Sequence, residues 1–226
     1  MLNLLEKELS LLSNEERAKI NARFFKTGKG QYGEGDLFIG ITLPDLRNVC
    51  KKYLDISFED LSKLISSKYH EYRLAALIIL TLKFKNNPEE VYNFYLKNTK
   101  FINNWDLVDV SAHLIVGKYL FDKDKKILYK LAKSENLWEK RIAIISTLYF
   151  IGNKQFEDTF KISEILLNDK HDLIHKAIGW MLREVGKKDL KQEEEFLNKH
   201  YKKMPRTTLR YAIERFEKNK KEFYMN

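Results

Sequence analysis

The sequence has one cysteine, Cys50, in 226 residues, which excludes a disulfide framework and a cysteine-based metal cluster. Three prolines and nine glycines are few for this length and disfavour an architecture of strands and tight turns. No apolar run approaches the length of a membrane span. The first residues, "MLNLLEKELS", carry acidic side chains early and are unlike a signal peptide. We therefore expect a cytoplasmic protein with no membrane association.

What the sequence has is helix-forming residues and positive charge. Apolar residues make up 44% of the chain, which is typical of a globular protein. The formal net charge is +9. A surplus of this size favours a polyanionic partner, nucleic acid first and an anionic membrane second, and the alternative is an origin in a lysine-rich proteome.

A leucine recurs every 34 residues, at Leu46, Leu80, Leu114, Leu148 and Leu182. The segments "EYRLAALIIL", "EKRIAIISTL" and "IHKAIGWMLR" resemble one another, and an amphipathic stretch precedes each of them. A fixed period with two helices per unit predicts an all-α fold, an α-solenoid of about six HEAT-like helix pairs with a concave binding cleft. We expect a single domain over residues 1–226, with unit boundaries at Asn87–Pro88, 121–125, 151–154 and Gly186.

The segment "NNWDLVDVSAHLIVG", residues 103–117, departs from this repeat. It is expected to form one helix whose apolar side carries Leu107, Val110, Leu114 and Ile115. Trp105 and Asp109 lie on the opposite side of that helix. Three other repeats have alanine where this one has Asp109. Because a buried unpaired carboxylate is costly, Asp109 should either have a partner or face a solvent-filled cleft.

Two further residues are candidates for binding. Arg141 lies in "LWEKRIAIISTLYFI", which is apolar nearly all round, so it needs a protein carboxylate or a phosphate. Trp180 falls outside the apolar stripe of its helix, between Lys176 and Arg183. Such a tryptophan either contacts a nucleic-acid sugar or base, or packs on the next repeat under lysine stems.

Other motifs predict no cofactor. "GKGQYG", residues 28–33, matches G-x-G-x-x-G but follows a helical segment instead of a strand, so a dinucleotide site is not expected. The pairs His171 with His175 and Asp109 with His113 have the spacing of metal ligands. Neither pair has a visible third ligand, so we expect no metal.

Four segments together resemble the AlkD-type alkylpurine DNA glycosylases, which are built from HEAT-like repeats: "NNWDLVD", "LWEKRIAI", "HKAIGWMLREVGK" and "MPRTTLRYAIERF". The resemblance extends from about residue 20 to 217. It implies that Trp105, Asp109 and Trp180 line the cleft as catalytic residues, with Arg141 between them. Asn104 stands where the family's best-known pattern has a first tryptophan, and "TGKGQYGEGD" is longer and richer in glycine than in the best-known members.

The resemblance implies hydrolysis of the N-glycosidic bond of cationic purines, N3-alkyladenine and N7-alkylguanine, in duplex DNA. Such a base is already a good leaving group, so the enzyme needs a carboxylate that stabilises the oxocarbenium-like sugar and positions water. The resemblance also implies that the base is not flipped, and an open cleft without a deep pocket agrees with this. The basic residues expected to hold DNA are Arg141, Lys176, Arg183, Arg206 and Arg210.

The expected protein is therefore a monomeric, monofunctional DNA glycosylase. The alternative is a non-catalytic HEAT-like protein that binds nucleic acid or a protein partner. The set of Trp105, Asp109 and Trp180 favours the enzyme, because a scaffold has no need of it.

Overall fold

All regular secondary structure is helical in the computed structural model, which describes residues 1–226. An isolated parallel bridge joins Leu37 and Tyr69. The predicted all-α class is therefore confirmed. No helix is both long enough and apolar enough to span a membrane. The chain folds as two compact units, Met1–Ser111 and Ala112–Asn226, and the single domain expected over residues 1–226 stays a prediction.

The first unit contains seven α-helices and a 3₁₀ turn at Thr99–Phe101. The helices are α1 (Leu2–Leu11), α2 (Glu15–Phe24), α3 (Leu43–Cys50), α4 (Phe58–Ile65), α5 (His70–Lys83), α6 (Pro88–Lys97) and α7 (Trp105–Asp109). The side chains of Asn14, Thr42 and Ser57 accept backbone N–H groups at the starts of α2, α3 and α4. Helices α3 and α7 both pack against α5, as expected for successive repeats.

The second unit begins with a π-helical segment at His113–Gly117. Eight α-helices follow: α8 (Lys118–Leu120), α9 (Lys126–Ala132), α10 (Leu137–Gly152), α11 (Glu157–Leu166), α12 (Asp172–Lys188), α13 (Leu190–His200), α14 (Arg206–Ala212) and α15 (Lys218–Met225). The π-helical segment, α10, α12 and α14 pack against one another in that order. Gly186 lies inside α12, so the boundary predicted there is wrong.

The 34-residue period marks the core at most of its positions. Leu46, Leu80 and Leu182 are buried, and the alanines in the position of Asp109 are buried too. Leu148 is only half-buried, and Leu114 departs furthest from the pattern, because it is 37% exposed.

The single helix expected over residues 103–117 is wrong, and this explains Leu114. Helix α7 ends at Asp109, and the π-helical segment starts at His113. The wider turn rotates the following side chains, so that Ile115 and Val116 are buried and Leu114 faces outward. Gly117 allows the segment to approach α10, since a Cβ atom there would collide with the carbonyl oxygen of Ser146.

Candidate active site

Helix α7 carries two of the predicted catalytic residues on five residues of helix. It starts at a buried asparagine, Asn104, whose side-chain Oδ1 accepts the N–H of Trp105 at 2.8 Å. Trp105 and Asp109 are both half-buried. The helix is too short to be stable by itself, so its neighbours must fix its position.

An aromatic cluster holds Trp105. Its ring stacks on Phe25, with centroids 5.2 Å apart and an angle of 22° between the planes. Phe24 contacts the same ring edge-on at 5.9 Å, and Phe38 stacks on Phe25 at 5.1 Å. Aromatic pairs at these distances add about 0.5–1.5 kcal/mol each beyond their burial. The plane of Trp105 is therefore set by the last residue of α2 and by the segment that follows it.

Trp105 and Asp109 line one half-open cavity of about 400 Å³ in the first unit. Its volume is within the range of about 300–1,000 Å³ typical of small-molecule sites. The expectation that the alkylated base reacts in an open cleft stays a prediction. The walls are mostly apolar and come from α2, α3, α5, α7 and the segment before α3, with the residues Arg17, Asn21, Phe25, Phe38, Ile41, Thr42, Leu43, Leu46, His70, Glu71, Leu74, Trp105, Asp106, Asp109 and Val110.

The wall before α3 is fixed by a buried carboxylate. Glu71 accepts the backbone N–H of Ile39 at 3.0 Å and that of Gly40 at 2.8 Å. The guanidinium of Arg17, on α2, donates to the carbonyl oxygen of Gly40 at 3.0 Å. These bonds give the loop a defined backbone position beside the cavity.

A second group of charges, here called the carboxylate–histidine network, consists of Asp36, His70, Arg73 and Asp106. His70 Nδ1 is 3.3 Å from Asp36 Oδ2, and its Nε2 is 2.8 Å from Asp106 Oδ2. Arg73 Nη2 is 2.7 Å from Asp36 Oδ1. Asp36, His70 and Arg73 are buried.

The network keeps a positive charge on His70. Burial opposes that charge, but Asp106 and then Asp36 outweigh it and raise the pKa of His70 to about 9. Burial likewise opposes charge on Asp36, and the contacts with His70, Arg73 and Asn103 hold the pKa of this carboxyl below its usual value. The imidazolium therefore joins two carboxylates, one on each ring nitrogen.

This network was not predicted from the sequence, although the sequence carries a signal for part of it. Asp36 and His70 are 34 positions apart, and Asp106 follows His70 by 36. The first spacing equals the repeat period, so these residues come from nearly equivalent positions of successive repeats. A search for polar residues at that spacing would have paired Asp36 with His70, whereas Asp106 lies two residues out of the frame.

The other predicted residues belong to the second unit. Arg141, on α10, is buried, and its Nη1 donates to the carbonyl oxygen of Leu173 at 2.7 Å. This contact joins α10 to the first turn of α12. The carboxylate partner and the phosphate contact expected for Arg141 both stay predictions.

Helix α12 carries three of the predicted residues. Trp180 is half-buried and donates from Nε1 to Glu184 Oε1 at 3.1 Å. Lys176 pairs with Asp172 at 2.7 Å, and Arg183 pairs with Glu214. These cations already have acidic partners, so their contact with DNA stays a prediction.

Two predicted DNA contacts lie on α14. Arg206 and Arg210 are both exposed, and Arg206 donates to the carbonyl oxygen of Met225. Their exposure leaves both side chains accessible to a large partner.

The histidine pair weighed as a metal site has other hydrogen bonds. His171 begins α12 and accepts the N–H of Leu173 at Nδ1, at 3.1 Å. His175 Nε2 is 2.6 Å from the carbonyl oxygen of Asp169. The two rings thus support the start of α12.

A family model described as DNA alkylation repair enzyme matches residues 5–216. A solved structure, described as a predicted DNA alkylation repair enzyme from Enterococcus faecalis, is 19% identical in sequence. The similarity covers 91% of this chain and 97% of that chain, with a TM-score of 0.72. No curated protein sequence matches this chain. At this identity, the structural likeness shows a shared fold.

Proposed function

Because the chain belongs to the DNA alkylation repair enzyme family, we propose that it is a monofunctional DNA glycosylase for cationic alkylated purines. Its substrates are N3-alkyladenine and N7-alkylguanine in duplex DNA. One observation carries the proposal: Trp105 and Asp109 line the same cavity, and Asp109 stands at a repeat position that elsewhere holds a buried alanine.

The proposed reaction is a hydrolysis centred on the sugar. The bond between C1′ and the base nitrogen breaks, and its electron pair neutralises the cationic base. The sugar acquires oxocarbenium character, which the Asp109 carboxylate stabilises by charge. The same carboxylate orients a water molecule whose oxygen bonds to C1′, and the water's proton passes to the carboxylate or to solvent. The products are the free base and an abasic deoxyribose.

Two tryptophans assist this step in the proposal. The electron-rich face of an indole ring attracts positive charge, with the strongest effect where water is excluded. Trp105 has a fixed plane because it stacks on Phe25. Trp180 is oriented by its bond to Glu184. We propose that both rings pack on the deoxyribose, and that the reaction uses no metal and no cofactor.

The first test is release of free modified base. Purified protein is incubated with methylated duplex DNA without added metal, and the released purines are separated and identified. Release of N3-methyladenine or N7-methylguanine supports the proposal. Binding to DNA without release would instead support the alternative, a non-catalytic repeat protein.

We predict that Arg141→Ala weakens binding to damaged and undamaged duplexes alike. Loss of one phosphate contact should reduce the slope of log affinity against log salt by about one. Fluorescence anisotropy over a series of salt concentrations measures both effects. Arg47→Ala, at an exposed position outside the predicted DNA contacts, is the matched comparison. Normal binding combined with a lower melting temperature would instead assign Arg141 a structural role.

The cavity permits a test of whether the base leaves the duplex. Leu43 lines the cavity and is 41% exposed, so a larger side chain fits there with little disturbance of the core. If the base stays stacked, Leu43→Trp should leave the single-turnover rate within about threefold of the original. Leu82→Trp, at a position that is also partly exposed, is the control. Selective loss in the Leu43 variant would mean that the base enters the cavity.

A further inference from the structure

We propose that His70 is a positioning residue for base release: as a doubly hydrogen-bonded imidazolium, it fixes α7 through Asp106 and so places Trp105 and Asp109. The proposal rests on the function proposed above. It assigns a role to a buried cation that the reaction does not use directly.

His70 is joined to α7 through the side chain of Asp106. Asp106 is the residue after Trp105 and lies three before Asp109, in the first turn of α7. Its Oδ2 accepts from His70 Nε2, and its Oδ1 accepts the backbone N–H of Leu107 at 2.9 Å. Leu107 and Val108 are buried and anchor one side of this five-residue helix, and the bond from His70 to Asp106 holds another side, so it contributes to the direction in which Asp109 points.

The opposite side of His70 is anchored in the core. Asp36 takes its Nδ1–H and also pairs with Arg73. Asp36 also accepts from Asn103 Nδ2 at 2.8 Å, in the turn just before α7. The network thus grips the start of α7 twice, through Asn103 and through Asp106.

The same imidazole contacts the aromatic cluster. Its ring stacks on Phe38 at 4.5 Å and lies 5.1 Å from Phe25, the ring on which Trp105 stacks. A charged imidazole over these rings gains cation–π attraction. The charge of His70 therefore affects both the packing of Trp105 and the position of α7, which carries Asp109.

The direction of the pH effect follows from the charges that face His70. These are Asp36 from the segment before α3, Arg73 from α5 and Asp106 from α7, since Glu71 is engaged with backbone N–H groups. A folded-state pKa raised to about 9 contributes stability below the ordinary value of 6.5, and this is lost as pH rises through about 9. Deprotonation removes the charge that attracts both carboxylates and leaves one ring nitrogen without a proton for its partner, so the attachment of α7 through Asp106, or through Asp36 and Asn103, weakens.

Two variants separate positioning from folding. Gln places its amide nitrogen near the position of Nε2, so His70→Gln keeps a donor toward Asp106. Asn places its amide near Nδ1, so His70→Asn keeps only the contact with Asp36. We expect His70→Asn to lower single-turnover base release about tenfold or more, and His70→Gln to retain more of it. DNA affinity should change little in either variant.

The decisive measurement is the pH profile. Wild-type release should fall as pH rises through about 9, while circular dichroism shows the protein still folded. His70→Gln should lack this fall, because an amide does not titrate. Equal losses in the two variants, or the same fall in His70→Gln, would overturn the proposal.

A measurement that does not depend on catalysis distinguishes failure of the His70 proposal from failure of the glycosylase proposal. Nitrogen chemical shifts of the histidine rings report which ring nitrogens carry protons, and His70→Gln identifies the signal. We expect both nitrogens of His70 to stay protonated up to about pH 9. A neutral ring at pH 7 would overturn the positioning proposal even in an active enzyme. If the wild-type protein releases no base, the glycosylase proposal fails, and Trp105 fluorescence across the same pH range then tests whether His70 orders α7.

Discussion

Asp109→Asn should lower single-turnover base release by about a hundredfold or more while leaving DNA binding intact. Asparagine keeps the shape of the side chain but removes the charge that stabilises an oxocarbenium-like sugar. Affinity should stay equal or rise slightly, because a negative charge near the phosphates is lost. Release from N7-methylguanine oligonucleotides with enzyme in excess measures the chemical step, and anisotropy measures binding.

The control for this variant is a carboxylate elsewhere in the same unit. Asp55 is exposed and does not line the cavity, so Asp55→Asn should behave as the unmodified protein. Melting temperatures of both variants show whether half-buried Asp109 also affects folding. Normal release by a folded Asp109→Asn protein would show that Asp109 is not catalytic. Trp105 would then be the one proposed catalytic residue left on α7.

The fold could be predicted because the core repeats along the sequence. Leu46, Leu80 and Leu182 lie at the same position of successive 34-residue repeats and are buried. Their spacing alone therefore identified the helix that recurs in each repeat. The break after Asp109 was not predictable from spacing. A π-helical turn depends on how closely Gly117 approaches α10, which is a tertiary contact.

The candidate site was predicted in part, for a related reason. Asp109 was conspicuous because it replaces alanine in the repeat, and Trp105 because it lies off the apolar side of its segment. The aromatic cluster gave no such signal. Phe25 and Phe38 lie outside regular helices, in segments with no period, and their rings meet Trp105 only once the chain has folded. The cavity is lined by these packed rings, so it could not be predicted from the sequence either.

The charge of the base should decide which lesions are released. N3- and N7-alkylated purines carry a positive charge, so departure of the base neutralises it and needs no proton. Uracil, hypoxanthine and O6-methylguanine are neutral, and their departure as anions needs a general acid, which typically contributes about 10²–10⁴ in rate. We therefore expect release of the cationic lesions and no comparable release of the neutral ones.

The groups that line the cavity support this expectation. A general acid must offer a proton to the leaving base, and the other titratable side chains beside Asp109 are engaged elsewhere. Glu71 binds two backbone N–H groups, and Asp106 binds His70. The protons of His70 are held between two carboxylates, so giving one up would break the bond to α7. The guanidinium of Arg17 is engaged too, because it donates to the carbonyl oxygen of Gly40.

Matched oligonucleotides with N7-methylguanine, hypoxanthine or uracil at one position test the charge rule under single-turnover conditions. Each factor of ten in rate corresponds to about 1.4 kcal/mol of barrier, so the missing acid should separate cationic from neutral bases by several kcal/mol. A parallel series with Asp109→Asn shows whether the carboxylate accounts for the remaining acceleration. Comparable rates on neutral bases would require an acid that reaches the base from outside this cavity, and a sugar-centred mechanism that depends on Asp109 alone would then be wrong.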